Sequence, residues 1–169
     1  MNTLLVSACL LGQPVRYDGR HRRCSHPQLA QWLAEGRVVA VCPELEGGLG
    51  LPRPPCEIAN GAGGDQVLAG RANVVDAAGR DYTSAFLRGA DAALALANQH
   101  GVRVALLKED SPSCGSQVIY DGSFGGKRCA GQGVTAARLE QAGIAVFSEE
   151  ALAEASRALA ALDAEPVRT

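Results

Sequence analysis

Three of the six cysteines in this sequence stand where chemistry is expected. Cys9 and Cys42 each end a short apolar segment, and Cys114 lies in a turn-rich loop after another. If these segments are parallel strands, their carboxyl ends share one edge of a sheet, and ligands bind beyond that edge. We therefore expect these three cysteines, which are distant in sequence, to meet at one site.

Three thiolates gathered at one site repel one another and need a cation. Soft thiolate ligands favour zinc or an iron–sulfur cluster. Structural zinc sites usually pair their cysteines as C-x-x-C, a spacing that is absent here, and ferredoxin-type spacings are absent too. The spacing alone leaves both kinds of centre open, but three protein ligands leave one coordination position for a substrate.

Polar side chains accompany two of these cysteines. Glu44 follows Cys42 by two residues, and a carboxylate there could act as a general acid or base, or form only a cap or a salt bridge. Ser111 and Ser113 precede Cys114 and could hydrogen-bond a substrate or a cluster, or serve only to form a turn.

Apolar strands that alternate with helices must position these groups. Strands are expected over 3–11, 37–42, 71–75, 102–107 and 144–147, and a hairpin over 117–127 with Asp121-Gly122 at its turn. Helices are expected over about 25–35, 83–99, 135–142 and 148–162, the first capped by Ser25 and the last by Ser148. The segment 44–64 is rich in glycine and proline, which predicts a long functional loop without regular structure.

This order of elements predicts an α/β fold with a mainly parallel central sheet flanked by helices. We expect a single domain over 1–163 and a frayed C-terminal tail over 164–169. Within the first strand, alternation would point the side chains of Ser7 and Cys9 to the same side.

Composition excludes several classes of partner. The net charge of −2 and an aromatic content of 4% argue against a nucleic-acid-binding surface. The local basic run over 16–23 is read either as a solvated loop or as an anion or substrate contact near Cys24. Without a secretory signal or a bilayer-length apolar run, we expect a cytoplasmic protein with no membrane partner, in which six cysteines do not form disulfides.

The sequence resembles a bacterial family, long catalogued as of unknown function, that includes the thiouracil desulfidases. The resemblance extends over roughly the first 150 residues. The motifs that carry it are Val6-Ser-Ala-Cys-Leu-Leu-Gly12, Arg16-Tyr-Asp-Gly19, Cys42-Pro-Glu44, Gly47-Gly48, Pro52-Arg-Pro-Pro55, Leu107-Lys108-Glu109, Ser111-Pro-Ser-Cys-Gly115, Tyr120-Asp121-Gly122 and Gly131-Gln-Gly-Val-Thr135.

The resemblance implies an oxygen-sensitive [4Fe-4S] cluster bound by Cys9, Cys42 and Cys114, with one iron free of protein ligands. It also implies that Glu44 is catalytic and that Ser111 assists. The expected reaction is the desulfuration of a small thiolated nucleobase such as 2-thiouracil, whose sulfur binds the free iron, to give uracil and sulfide.

Three cysteines, Cys24, Cys56 and Cys129, are not expected from the family pattern. Cys56 stands where a small residue is common, so a small buried side chain explains it. The alternatives that the sequence leaves open are a thiolated base in RNA as substrate, a non-catalytic cluster or sulfur-carrier protein, and a structural zinc domain.

Overall fold

The computed structural model describes residues 1–166. Its strands are β1 (Leu4–Ser7), β2 (Val38–Val41), β3 (Cys56–Ile58), β4 (Val74–Asp76), β5 (Val104–Leu107), β6 (Val118–Tyr120), β7 (Arg128–Ala130) and β8 (Ala145–Ser148). Its helices are α1 (Pro27–Ala34), α2 (Pro43–Glu46), α3 (Gly64–Leu68), α4 (Thr83–Gln99), α5 (Val134–Gln141) and α6 (Leu152–Asp163). Short 3₁₀ turns occupy Ala8–Leu11 and Ala59–Gly61.

A four-stranded parallel sheet in the order β2-β1-β5-β8 forms the centre of the molecule. Every residue of β1 and β5 is buried, because helices cover both faces. One face packs against α1 and α6, and the other packs against α4 and α5. The predicted α/β fold is confirmed.

Two hairpins form a second layer beside this sheet. Strands β3 and β4 pair antiparallel, as do β6 and β7. Their apolar side chains pack on α4 and α5 through Phe86, Ala90 and Val134. This layer forms one wall of the crevice that lies beyond the carboxyl ends of the parallel strands.

The direction of the crossovers reverses between the two central strands. The chain leaves β1 towards β2 on one side, and it leaves β5 towards β8 on the other side. The connections that diverge from such a pair leave a crevice between them, which is the usual ligand position in an open parallel sheet.

The sequence predicted a single strand over 3–11, but the structure divides this segment into a strand and a turn. Strand β1 ends at Ser7, and Cys9 lies in the 3₁₀ turn that follows. Strand periodicity stops between Ser7 and Cys9, so alternation does not explain their common direction, although both side chains line one cavity.

The segment 44–64 is more regular than predicted. It contains most of α2, the whole of β3 and a 3₁₀ turn. These elements are too short to show a periodic apolar pattern, so glycine and proline content dominated the interpretation of this segment.

Both predicted serine caps are wrong. The helix α1 begins after His26, whose side chain accepts the backbone N–H of Gln28 at 3.1 Å. The helix α6 begins after Ala151, and Ser148 instead accepts the N–H of Glu150 within a turn.

The short helix α3 was not predicted, and the other elements lie within a few residues of their predicted positions. The hairpin over 117–127 joins β6 to β7, but Asp121-Gly122 begins a longer connection instead of forming a two-residue turn.

At the start of the expected tail, the N–H of Ala164 still bonds the carbonyl of Ala160, while residues 167–169 lie outside the described residues. Within residues 1–166, no helix is long and apolar enough to cross a membrane.

Candidate metal centre

A cavity of about 460 Å³ opens at the carboxyl edge of the central sheet. The side chains of Cys9, Cys42 and Cys114 line it, together with those of Glu44 and Ser111. The fold thus brings the five residues singled out from the sequence into one crevice.

Cys9 is held by the 3₁₀ turn that continues β1. Its side chain is buried, and its carbonyl accepts the N–H groups of Gly12 and Arg22, which draws the following loop over the crevice. Burial, and to a smaller extent the negative charge of a Cys42 thiolate, raises the pKa of the Cys9 thiol to about 11. A neutral thiol is therefore favoured at Cys9 until a cation compensates its charge.

Cys42 immediately precedes α2 and occupies its N-cap position. Its sulfur lies 3.7 Å from the carbonyl oxygen of Val15, and burial raises the pKa of its thiol. The helix α2 packs on the backbone of α4, and the contact requires glycine on both sides. A Cβ at Gly47 would lie 2.1 Å from the carbonyl oxygen of Ala85, and one at Gly89 would lie 2.0 Å from that of Pro43.

The loop that carries Cys114 is anchored to the N-terminus of α5. The N–H groups of Val134 and Thr135 donate to the carbonyls of Pro112 and Ser113. Gly133 makes this approach possible, because a Cβ there would lie 2.4 Å from the carbonyl carbon of Ser113. The donors at the start of α5 thus fix the cysteine loop.

Ser111 shapes the same loop from inside. Its hydroxyl oxygen accepts the N–H of Ser113 at 3.1 Å and that of Cys114 at 3.2 Å. The turn-forming function considered for Ser111 is thus realised. Burial raises the pKa of the Cys114 thiol, as it does for the other two cysteines.

Glu44 is held by a buried arginine that the sequence analysis did not single out. The Nε of Arg53 donates to Oε2 of Glu44 at 2.7 Å, and Nη2 of Arg53 contacts the same oxygen. Arg53 also donates to the carbonyl of Val15 at 2.9 Å, and only 6% of its side chain is exposed. The other carboxylate oxygen, Oε1, accepts no side-chain or loop hydrogen bond from the residues that the structure describes.

Three thiols at one cavity, two buried and one half-buried, fit an iron–sulfur cluster better than a single ion. No group of three or more His, Cys, Asp or Glu side chains within residues 1–166 is arranged to hold one metal ion. A cluster offers a separate iron to each cysteine, so its thiolates surround a larger body than a single zinc ion does. Cys9, Cys42 and Cys114 supply the three thiols for such a cluster from one cavity.

The other three cysteines occupy different surroundings. Cys56 lines the cavity from β3, its sulfur lies 3.6 Å from the carbonyl oxygen of Pro54, and burial raises its thiol pKa to about 12. Cys24 packs against the core beside α1, and Cys129 packs against the hairpin layer. Cys56, which the sequence analysis explained only as a small buried side chain, therefore also lines the site. In the sequence, only the proline-rich segment around Arg53 indicated the side of the cavity that Cys56 lines.

Part of the basic run over 16–23 borders the cavity. Arg16 and Arg22 line it, whereas Arg20, His21 and Arg23 do not. Arg16 lies within 4.0 Å of Asp18 and stacks over the ring of Tyr17. The run is thus partly a wall of the site and partly a solvated loop.

Comparison with known proteins bears on the identity of this site. Residues 4–151 match the 2-thiouracil desulfurase family. A curated relative, the uncharacterized protein YbbK of Bacillus subtilis (strain 168), is 46% identical over 149 residues, which cover 88% of this chain and 97% of YbbK. The solved structure of the [4Fe-4S]-dependent thiouracil desulfidase TudS is similar with a TM-score of 0.86 and 49% identity, over 95% of this chain and 99% of that one. The resemblance carried by the cysteine motifs is confirmed, and the chain belongs to the 2-thiouracil desulfurase family.

Proposed function

We propose that this protein is an iron–sulfur-dependent desulfidase that converts 2-thiouracil, or a closely similar small thiolated nucleobase, and water into uracil and hydrogen sulfide. The observation that carries the proposal is the meeting of three cysteines, two buried and one half-buried, and one carboxylate at a single cavity. Family membership and the likeness to a [4Fe-4S]-dependent thiouracil desulfidase support it. The reaction exchanges sulfur for oxygen at one carbon and requires no net oxidation or reduction.

Cys9, Cys42 and Cys114 would hold a [4Fe-4S] cluster as its three protein ligands. When bound, the cluster supplies an iron without a protein ligand, a Lewis acid at which the thiocarbonyl sulfur of the substrate can bind. The thiols lose their protons on binding, because the thiolate is the ligand form. Burial of the site keeps competing solvent away from the bonds between the cysteine thiolates and the cluster.

Glu44 would handle the proton of the attacking water. The ion pair with Arg53 fixes Oε2, and Oε1 of this cavity-lining side chain accepts no side-chain or loop hydrogen bond from the described residues. A carboxylate held in this way can accept a proton from water as it attacks the thiocarbonyl carbon and can return it to the departing sulfur. Because Arg53 already holds the carboxylate of Glu44 in place, this side chain loses less conformational freedom in that step.

Ser111 would orient the substrate. Its oxygen already accepts two backbone N–H groups, so its own O–H is the group left to donate. A hydroxyl that lines the cavity and has one free hydrogen can bind an acceptor atom of the heterocycle.

The test is to purify the protein under anaerobic conditions, count iron and sulfide per chain, and measure sulfide release from 2-thiouracil. We expect about four of each per chain and stoichiometric uracil. Alanine at Cys9, Cys42 or Cys114 should abolish cluster loading, whereas Cys24→Ala, a change outside the cavity, should retain it. Glu44→Gln should keep its cluster and lose about 10²–10⁴-fold in kcat.

Three outcomes would contradict the proposal. A colourless protein that contains zinc and no iron would favour a structural metal site. A loaded protein that releases no sulfide would favour a carrier. Normal loading after replacement of one of the three cysteines would remove that residue from the ligand set.

A further inference from the structure

Glu57 is a second carboxylate at the cavity, and the proposed reaction does not use it. It lies in β3, is half-buried and lines the same cavity as the three cysteines. Its oxygen Oε1 accepts the backbone N–H of Gly122 at 3.0 Å and that of Phe124 at 3.2 Å. Both donors belong to the connection between β6 and β7, so a side chain of β3 holds a loop that is remote in sequence.

This connection, residues 121–127, is called the rim loop because it reaches the opening of the cavity. Its two ends meet, since the N–H of Asp121 donates to the carbonyl of Lys127 at 2.9 Å. Gly126 of the loop lines the cavity and is exposed, which places it where the cavity meets solvent. Tyr120, directly before the loop, lines the cavity as well.

The rim loop has a backbone conformation that its own sequence does not favour. Three of its seven residues are glycine, which lose much conformational freedom when they are ordered. Phe124 has a positive φ of 56°, which an aromatic residue rarely adopts unless its surroundings hold it there. Because Glu57 bonds the N–H of Phe124 itself, its carboxylate acts at the strained residue.

The contact between the loop and β3 is also close. A Cβ at Gly122 would lie 2.5 Å from the carbonyl oxygen of Ile58, the residue that follows Glu57. The first part of the rim loop therefore rests directly on the backbone of β3, and the two hydrogen bonds to Glu57 keep it there.

We propose that Glu57 is a positioning residue that holds the rim loop at the opening of the cavity, where the loop completes the substrate site and limits access to the cluster. The inference rests on the function proposed above, because it concerns the substrate of that reaction. Without Glu57, the substrate would have to order the loop as it binds, which weakens binding. The chemical step on Glu44 and Ser111 would be unaffected, so KM should change and kcat should not.

The experiment compares Glu57→Ala, Glu57→Gln and a control, Asp81→Ala, with the wild-type protein. Glutamine keeps an oxygen that can accept both N–H groups and removes only the charge. Asp81 also accepts a backbone N–H, that of Thr83 at 2.7 Å, but it is exposed and does not line the cavity. Each protein is loaded anaerobically, kcat and KM are measured with 2-thiouracil, and the rate of iron loss to a chelator is followed.

We expect Glu57→Ala to raise KM and the rate of iron loss about tenfold each, the effect of losing hydrogen bonds to a charged group, with kcat within about twofold of wild type. Glu57→Gln should remain within about threefold of wild type in every quantity, because neutral acceptors form weaker but intact bonds. Asp81→Ala should behave as wild type.

Three results would overturn the inference. An unchanged KM and rate of iron loss in Glu57→Ala would show that the loop does not need this acceptor. If Glu57→Gln behaved like Glu57→Ala, the charge of Glu57 would act directly on the substrate. If Asp81→Ala did so, the effect would belong to the hairpin layer as a whole.

A second measurement covers the case in which Glu57→Ala does not fold, as judged by circular dichroism. Hydrogen exchange in the loaded wild-type protein should be at least about tenfold slower at the amide of Phe124 than at that of Gly126, whose N–H donates to no group within residues 1–166. Equal rates, corrected for sequence, would contradict the inference. This readout does not depend on turnover, so a loaded protein that releases no sulfide would refute the proposed function separately.

Discussion

Glu109 is the most heavily hydrogen-bonded carboxylate near the site. It is 6% exposed and accepts the N–H and O–H groups of Ser116 and the N–H groups of Gln117 and Val118. Its own N–H donates to Glu149 at 2.8 Å. These bonds close the loop that contains Cys114, so Glu109 fixes the loop without touching the sulfur.

Glu109 should make the protein less stable in acid. Burial opposes ionisation of Glu109, but the hydrogen bonds outweigh it and lower its pKa. Because the folded-state pKa lies below the unfolded value of about 4.3, the stabilisation is present above that value and is lost as the pH falls through the folded-state pKa. Glu109→Gln should therefore cost about 1–3 kcal/mol of unfolding free energy at pH 7, and less below about pH 4.

Urea unfolding of the cluster-free protein at several pH values measures this difference. The exposed Glu154→Gln provides a control, since among residues 1–166 Glu154 pairs with Arg157 alone, on the surface of α6. A constant difference between wild type and Glu109→Gln over this pH range would show that ionisation of Glu109 does not contribute.

Among the elements, α2 depends most on a single contact. It is one turn long, begins directly after Cys42 and packs against α4 at Gly47 and Gly89. A helix of this length has no stability of its own, so the packing must hold it. The position of Cys42 therefore depends on how closely α2 approaches α4.

Gly89→Ala should displace α2. Alanine favours a helix interior over glycine by about 1 kcal/mol, but its Cβ would lie 2.0 Å from the carbonyl oxygen of Pro43. We expect a net loss of about 1–3 kcal/mol in unfolding free energy and a reduced iron content. Asn98→Ala, at an exposed position of α4, should change neither quantity. Thermal unfolding and iron analysis test both variants, and a fully loaded, equally stable Gly89→Ala would show that the contact can relax.

The helices also show which features of the fold could be predicted from the sequence. The bounds of α4, Thr83–Gln99, were predicted because a continuous apolar stripe marks a long helix. Ser148 was misread as a cap because the next residue, Glu149, pairs with Lys108 at 2.7 Å and the helix begins only after Ala151. Long-range contacts of that kind leave no local pattern.

The candidate site was predictable only in part, because the sequence shows local patterns but not most long-range contacts. Cys9, Cys42 and Cys114 follow strands of one parallel sheet, and topology alone gathers such positions. Cys56 reaches the cavity from β3 and Arg53 from the loop before it, and no local pattern predicts the position of β3 on α4. Their contribution required the three-dimensional structure.

For the whole molecule, the three cysteines connect parts of the chain that are remote from one another. A ligand that binds only the folded arrangement stabilises it, by about 4 kcal/mol at a thousandfold excess over its Kd. Removal of the cluster with a chelator under anaerobic conditions should therefore lower Tm on the order of 10 °C. The same treatment should leave the Tm of Cys114→Ala unchanged, and an equal Tm for loaded and stripped wild type would contradict the prediction.

The order of strands in the sheet has a consequence for biosynthesis. Cys9 and Cys42 leave the ribosome early, directly after the neighbouring strands β1 and β2. Their third partner arrives only after β5, which must insert beside β1 and is separated from β2 by the hairpin β3–β4 and by α4. A nascent chain therefore lacks one of the three proposed ligands through most of its synthesis. The proposed ligand set is complete only after β5 and the loop that carries Cys114 have left the ribosome, and a protein truncated before Cys114 would lack the third thiol.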